Sequence, residues 1–292
     1  MRGRFFISDV FGLGKYTGNQ LATFIDCRDF SDQEMQQIAR EFNFSETTFV
    51  LSDFQDGGYD VRIFTPESEI DFAGHPTLGT AFIISRFLQK KPTEEIRLNL
   101  RIGQIPVRLP HQDLAEPLWM KQIEPRFGRT FAPQLLAPVL SLPTEAFHEA
   151  FPIQEVSTGL PFLIVPLTSM KYLKKAFIAG ERYQEFLLKS DTKGILIFCS
   201  PGHTPDQDLA VRVFVPSLGV PEDPATGSAN GCLTGYLLRH GYGEQKKLQL
   251  TVGQGYEIGR PSQIYLDGEW RDGKINIRVG GKVVLIAQGE WN

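Results

Sequence analysis

The sequence predicts an α+β protein assembled from two related halves, and three observations carry that reading. The chain has 292 residues, long for one core and comfortable for two domains. Its 28 Gly and 19 Pro imply many turns, which suits a strand-rich fold better than a helical bundle. The same order of short motifs also occurs twice, each time leading from a strand through a Gly-rich turn into an apolar helix.

In chain order, residues 5–7 read as a strand, 12–18 as a loop and 21–26 as a second strand. A helix follows: Ser31 can cap it, Glu34 stands at the capping-box spacing, and Phe30 and Met35 occupy the staple positions. Met35, Ile38, Ala39 and Phe42 then form an apolar stripe at helical spacing, read as core. Residues 43–51 and 59–64 are rich in β-branched and aromatic types and read as strands. Residues 73–89 read as an apolar helix, with Pro76 in the first turn, where a missing N–H costs nothing. The domain boundary is placed near residues 113–119.

The second half repeats the rhythm. Strands are expected over 162–167, 194–199 and 210–214, and helices over 180–189 and 227–239, with Gly241 as a C-terminal stop. Four strands, 248–252, 262–266, 274–279 and 283–287, close the chain. Arg62-Ile63-Phe64-Thr65-Pro66 matches Arg212-Val213-Phe214-Val215-Pro216, and Thr17-Gly18 parallels Thr158-Gly159. Pro76-Thr77-Leu78-Gly79-Thr80-Ala81 matches Pro224-Ala225-Thr226-Gly227-Ser228-Ala229, although Gly74 could pair with Gly227 instead. Arg62 and Arg212 are read as structural, pairing with Glu69 and with Glu222 or Asp223.

Composition excludes several functions. The formal net charge is −4, and the only basic groupings are pairs such as Lys174-Lys175 and Lys246-Lys247, so no face is suited to nucleic acid. Three widely spaced cysteines without a CxxC pair fit neither a disulfide framework nor a zinc site, and reduced cytoplasmic thiols are expected. No apolar run reaches the ~20 residues of a membrane helix, and no membrane association is expected. Gly12-Leu13-Gly14 lacks the rest of a dinucleotide fingerprint, and there is no P-loop, HExxH or G-x-S-x-G string.

Gly18-Asn19, Ser45-Glu46-Thr47, Arg62 to Pro66 with Glu69, the string FAGHPTLG from Phe72 to Gly79 and the string EDPATGSA from Glu222 to Ala229 together resemble the PhzF-like family. The resemblance spans nearly the whole chain; Gln20 departs from it, standing where the family often has proline. It implies the diaminopimelate epimerase-like fold: two pseudo-symmetric domains, each a barrel-like sheet around a central helix. The domains would be 1–115 completed by about 279–292, and 116–278, with the site between them. A homodimer without metal or organic cofactor is implied as well. Epimerases on this fold use one cysteine from each half as acid and base. Here Gly74-His75 and Asp223-Pro224 stand at those turns, and Cys232 lies deeper in the second helix, where it reads as a core thiol.

The resemblance makes Glu46 the catalytic acid and base, with His75 and Asp223 paired in the site. Phe44, Phe49 and Val50 are expected to surround Glu46 with apolar groups, which would raise its pKa and suit it to proton exchange with carbon near neutral pH. Alone, His75 could equally serve packing, and Asp223 a helix N-cap. Gly74, Gly227 and Ser228 are expected to present helix N-terminal N–H groups to a substrate carboxylate, with Asn19 reaching the ligand. The expected activity is cofactor-independent isomerisation of a small carboxylic acid. A racemase or epimerase with two opposed bases, and a non-catalytic carboxylate-binding or interaction protein, are the alternatives that the sequence leaves open.

Overall fold

Strand alternation and one capped helix build the first unit of the structure, a computed structural model that describes residues 3–110, 116–242 and 246–292. β1 (Gly3–Val10) pairs antiparallel with β2 (Asn19–Ile25). The turn between them closes through Gly18 at φ 75°, where an added Cβ would collide with the Val10 carbonyl oxygen, so only glycine fits. α1 (Asp32–Phe42) begins with the capping box that Ser31 and Glu34 announce, and it stops at Asn43 in the left-handed region. Its Met35, Ile38 and Ala39 pack with Phe24, Phe30 and Phe49 in one apolar cluster. This crossover makes β3 (Glu46–Val50) parallel to β2, with Glu46 opposite Leu21.

β4 (Tyr59–Phe64) runs antiparallel to β3, and β5 (Glu69–Ile70) folds back on β4. α2 (Gly74–Phe87) is buried at every position from Gly74 to Ile84, so it is a core helix rather than a surface amphipath. It packs against β1, β2, β3 and β6 (Glu95–Leu100). The approach to β1 and β2 is close: a Cβ on Gly79 would lie 2.5 Å from Leu21 and 2.9 Å from Val10. β6 joins β4 in parallel and forms a hairpin with β7 (Gly103–Arg108), which pairs with β8 (Leu118–Lys121). Sequence reasoning passed over this hairpin, although Ile96, Leu98 and Leu100 alternate as a half-buried strand should.

The second unit contains β9 (Arg126–Phe131), α3 (Pro133–Leu136), β10 (Ile153–Ser157), β11 (Pro161–Pro166), α4 (Met170–Lys175), α5 (Gly180–Leu187), β12 (Gly194–Cys199), β13 (Leu209–Val215), β14 (Val220–Asp223), α6 (Gly227–Arg239), β15 (Lys247–Gln254), β16 (Ser262–Arg271) and β17 (Lys274–Gly281). β18 (Val283–Trp291) returns to the first unit and pairs with β1. The units are Met1–Lys121 with Gly280–Asn292, and Gln122–Val279, so the last two residues of β17 belong to the first. The crossing follows β8 because that strand is hydrogen-bonded to β7. The crossing expected after residue 115 falls beside residues 111–115, which are outside the described residues.

The pairings of the second unit copy those of the first. β10–β11 are antiparallel, β11–β12 parallel, β12–β13 and β13–β14 antiparallel, β13–β15 parallel, and β15–β16 antiparallel. α6, buried at every position from Gly227 to Leu238 except Ser228, takes the place of α2. The registers then give residue equivalences. Phe49 faces Arg62 as Ile197 faces Arg212, and Leu21 faces Glu46 as Phe162 faces Gly194. Ile63 faces Ile70 as Val213 faces Asp223. Four residues further on, Gly74 and Gly227 each open a helix, so these two glycines correspond. The P-x-x-G match read from sequence is therefore out of structural register, because Gly79 lies inside α2 as a packing glycine.

Both repeats carry the same ion pair. Arg62 donates to Glu69 through Nε and Nη2 at 2.8 and 2.6 Å, and Arg212 to Glu222 at 2.9 and 2.7 Å. Each guanidinium also stacks over the phenylalanine two residues on, Phe64 or Phe214. Among the described residues, no helix is long and apolar enough to cross a membrane.

Candidate active site

In the first unit the structure brings Glu46 and His75 together. Glu46 opens β3 and His75 is the second residue of α2. Their Oε2 and Nε2 atoms lie 3.4 Å apart, with side chains 16% and 5% exposed. Thr80 on α2 donates to Thr48 on β3 at 2.8 Å, and Thr48 donates to Thr23 on β2 at 3.0 Å, all three buried. This chain pins the helix to the sheet. That pin is five residues along α2 from His75 and two along β3 from Glu46.

Burial pushes the His75 ring down from 6.5 to about 3, opposed by a hydrogen-bonding contact with the Gln20 backbone. The ring is therefore neutral at pH 7, and its approach to Glu46 is a contact between a carboxyl group and an uncharged imidazole rather than an ion pair. The expected apolar surroundings of Glu46 need correcting. Phe49 points to the opposite face of β3, into the core under α1 where Phe44 also packs, because strand side chains alternate. Glu46 shares its face with the Thr48 hydroxyl and, of the apolar residues expected around it, with Val50 alone. Gly74 opens α2 and is buried, and Asn19, 1% exposed, opens β2 opposite Val10.

In the second unit Asp223 ends β14 and is buried, while Gly227 and Ser228 are the first two residues of α6. Asp223 is not the helix N-cap that sequence allowed: Thr226 holds that position. The Thr226 hydroxyl donates to Asp223 Oδ2 at 2.5 Å. Gln254, fully buried on β15, bonds both Thr226 and the Asp223 carbonyl. Sequence reasoning missed Thr226 and Gln254. Thr226 sits inside the EDPATGSA string and could have been found there, but Gln254 carries no local signal. Cys232 is buried inside α6 beside the Thr158 hydroxyl, and burial pushes its thiol up to about 11. It is a core thiol. Among the described residues no three His, Cys, Asp or Glu side chains converge as metal ligands.

A family model described as phenazine biosynthesis-like protein, PhzC-PhzF, matches residues 8–289. The chain belongs to the PhzC-PhzF family. A trans-2,3-dihydro-3-hydroxyanthranilate isomerase from Pseudomonas aeruginosa is 35% identical to it over 98% of each chain. The crystal structure of a phenazine biosynthesis protein of the PhzF family from Bacillus anthracis, 26% identical, has a TM-score of 0.91 over 100% of this chain and 99% of that one. A hydroxyproline epimerase from Agrobacterium vitis, 12% identical, has a TM-score of 0.61 over 99% of this chain and 92% of that one, and shares the fold alone. This PhzF-family chain is thus an isomerase on the epimerase-like fold of two barrel-like domains that its sequence predicts.

Proposed function

We propose that this PhzF-family isomerase moves one proton within a small carboxylic acid, with Glu46 as both acid and base. One observation carries the reading. The duplicated fold offers two equivalent strand starts, and only the first bears an ionisable group, Glu46 against Gly194. The helix positions that correspond, His75 and Ser228, carry no thiol. A racemase needs two opposed bases, whereas a shift of one hydrogen from carbon to carbon needs a single group that removes it and returns it elsewhere. The substrate loses and regains one proton, so the product is its isomer and Glu46 ends each cycle as it began.

Neutral His75 fits that cycle. With its other nitrogen turned to the Gln20 backbone, Nε2 presents a lone pair to Glu46, which can receive the proton of a protonated carboxyl but cannot pair with a carboxylate. The ring thereby favours the form of Glu46 that holds the substrate's hydrogen. The N-terminal amides of α2 and α6, at Gly74, Gly227 and Ser228, are assigned to the substrate's carboxylate, and Asn19 and Asp223 to its remaining polar groups.

The named substrate of the Pseudomonas relative, trans-2,3-dihydro-3-hydroxyanthranilate, is the first probe. In deuterated water the native enzyme is expected to isomerise it with deuterium uptake, followed by NMR. Glu46→Gln is expected to lose at least about a thousandfold in rate, within the range set by loss of a general acid and base. Uptake at the native rate in Glu46→Gln removes Glu46 from the mechanism.

A further inference from the structure

The polar cluster beneath the start of α6 has an internal control in the other repeat. Asp223, Thr226 and Gln254 correspond to Ile70, Ala73 and Leu100. The first correspondence follows from the β4–β5 and β13–β14 registers, and the second from the helix starts. The third follows because Asp60 faces Asn99 as Ala210 faces Gly253, one residue earlier. The first unit closes the same strand–turn–helix junction with three apolar side chains. The fold therefore does not require the second unit's polar groups, and burying them is costly unless every donor and acceptor is matched.

The hydrogen bonds admit one direction. The Gln254 amide oxygen accepts from the Thr226 N–H at 3.3 Å and from Asn230 Nδ2 at 2.9 Å. A flipped amide would set donor against donor at both contacts. Its Nε2 therefore donates to the Asp223 carbonyl at 2.8 Å and to the Thr226 hydroxyl at 3.0 Å. The hydroxyl oxygen being so engaged, its single proton goes to Asp223 Oδ2.

We propose that Thr226 and Gln254 are positioning residues for the isomerase reaction, forming a one-way relay that holds the Asp223 carboxyl in one rotamer with Oδ2 as an acceptor. The inference rests on the assignment of Asp223 to the substrate site. It predicts that each relay member acts only through Asp223.

Two readouts test it. In free protein labelled at aspartate Cγ, the Asp223 carbon resonance, identified by its loss in Asp223→Asn, is expected to move in Thr226→Val and to return in Thr226→Ser. With trans-2,3-dihydro-3-hydroxyanthranilate as probe, Thr226→Val and Gln254→Leu are each expected to lose about tenfold or more in kcat with little change in KM, as for loss of a hydrogen bond to a charged group. Thr226→Ser is expected to restore the rate, and neither change should cost more once Asp223→Asn is present. An unmoved resonance, failure of serine to rescue, or undiminished losses on the Asp223→Asn background each overturn the relay. Should Gln254→Leu not fold, Thr226→Val, which keeps shape and volume, carries the test. A native enzyme inert toward the probe, or an Asp223→Asn variant with native turnover, counts against the proposed function instead, and the carbon resonance still decides whether the relay exists.

Discussion

At the scale of single residues, burial decides which groups carry charge. His75 is held neutral by its surroundings, at about 3 against an ordinary 6.5. His203, stacked on Tyr256 with ring centres 4.0 Å apart, is pushed down to about 4, by burial first and Lys174 second. Both shifts act in one direction. Between pH ~6.5 and the native values the unfolded chain binds more protons, so stability is complete above about pH 6.5 and falls on acidification by at most about 1.4 kcal/mol per pH unit for each ring. His75→Asn is expected to lower the acid sensitivity, read from urea midpoints at about pH 7.5 and about pH 5. The thiols behave alike. Burial pushes Cys27 up to about 12, and Cys199 and Cys232 up to about 11. All three should resist an aromatic disulfide reagent in native protein and react together in denaturant. Cys232→Ala should keep its turnover, and loss of turnover in a folded variant would contradict the core-thiol reading.

At the scale of elements, the legible helices were those with chemical boundary marks. Ser31 and Glu34 announced α1 because a capping box is a local hydrogen-bond pattern, and the structure contains both of its bonds. Ser31→Ala is expected to cost about 1 kcal/mol in denaturant titration. α2 was legible through its apolar length and early proline, but its reach to the sheet was not. That depends on Gly79, whose missing Cβ admits Leu21 and Val10. Gly79→Ala should therefore destabilise by about 1–3 kcal/mol despite alanine's better helix propensity, because overpacking against the Leu21 and Val10 methyls outweighs a propensity gain of about 1 kcal/mol. A more stable Gly79→Ala protein would refute that packing. The short strands β5, β8, β9 and β14 were missed because their identity comes from neighbours in the sheet rather than from local pattern, whereas β6, at the head of the β6–β7 hairpin, carries an alternation that was passed over.

At the scale of the whole molecule, duplication acts as an internal experiment: what both units share belongs to the fold, and what one unit holds alone points to function. The Arg–Glu pair under each R-x-F motif is shared. The two pairs are not equally essential. Glu69 keeps Arg101 at 2.6 Å when Arg62 is removed, so Arg62→Met is expected to cost about 1–2 kcal/mol. Arg212 also donates to the carbonyls of Leu173 and Ala176, holding α4 to β13. Arg212→Met should cost about 3–5 kcal/mol, since it leaves the Glu222 side chain, only 10% exposed, without that partner. Adding Glu222→Leu should recover part of the loss, and equal costs for Arg62→Met and Arg212→Met would contradict this ordering.

By itself the sequence determined the α+β class, the duplication, the core helices and the family, with Glu46, His75 and Asp223 as candidates. These follow from local signals, periodicity, caps and motif strings, which one stretch of chain expresses alone. Only the tertiary structure decided the register of the repeat, the face of β3 on which Glu46 stands, the 3.4 Å approach of neutral His75, and the Gln254–Thr226–Asp223 chain. Each of these depends on strands paired across tens of residues. A shift of one residue in such a pairing would turn every side chain to the opposite face while leaving the sequence pattern unchanged.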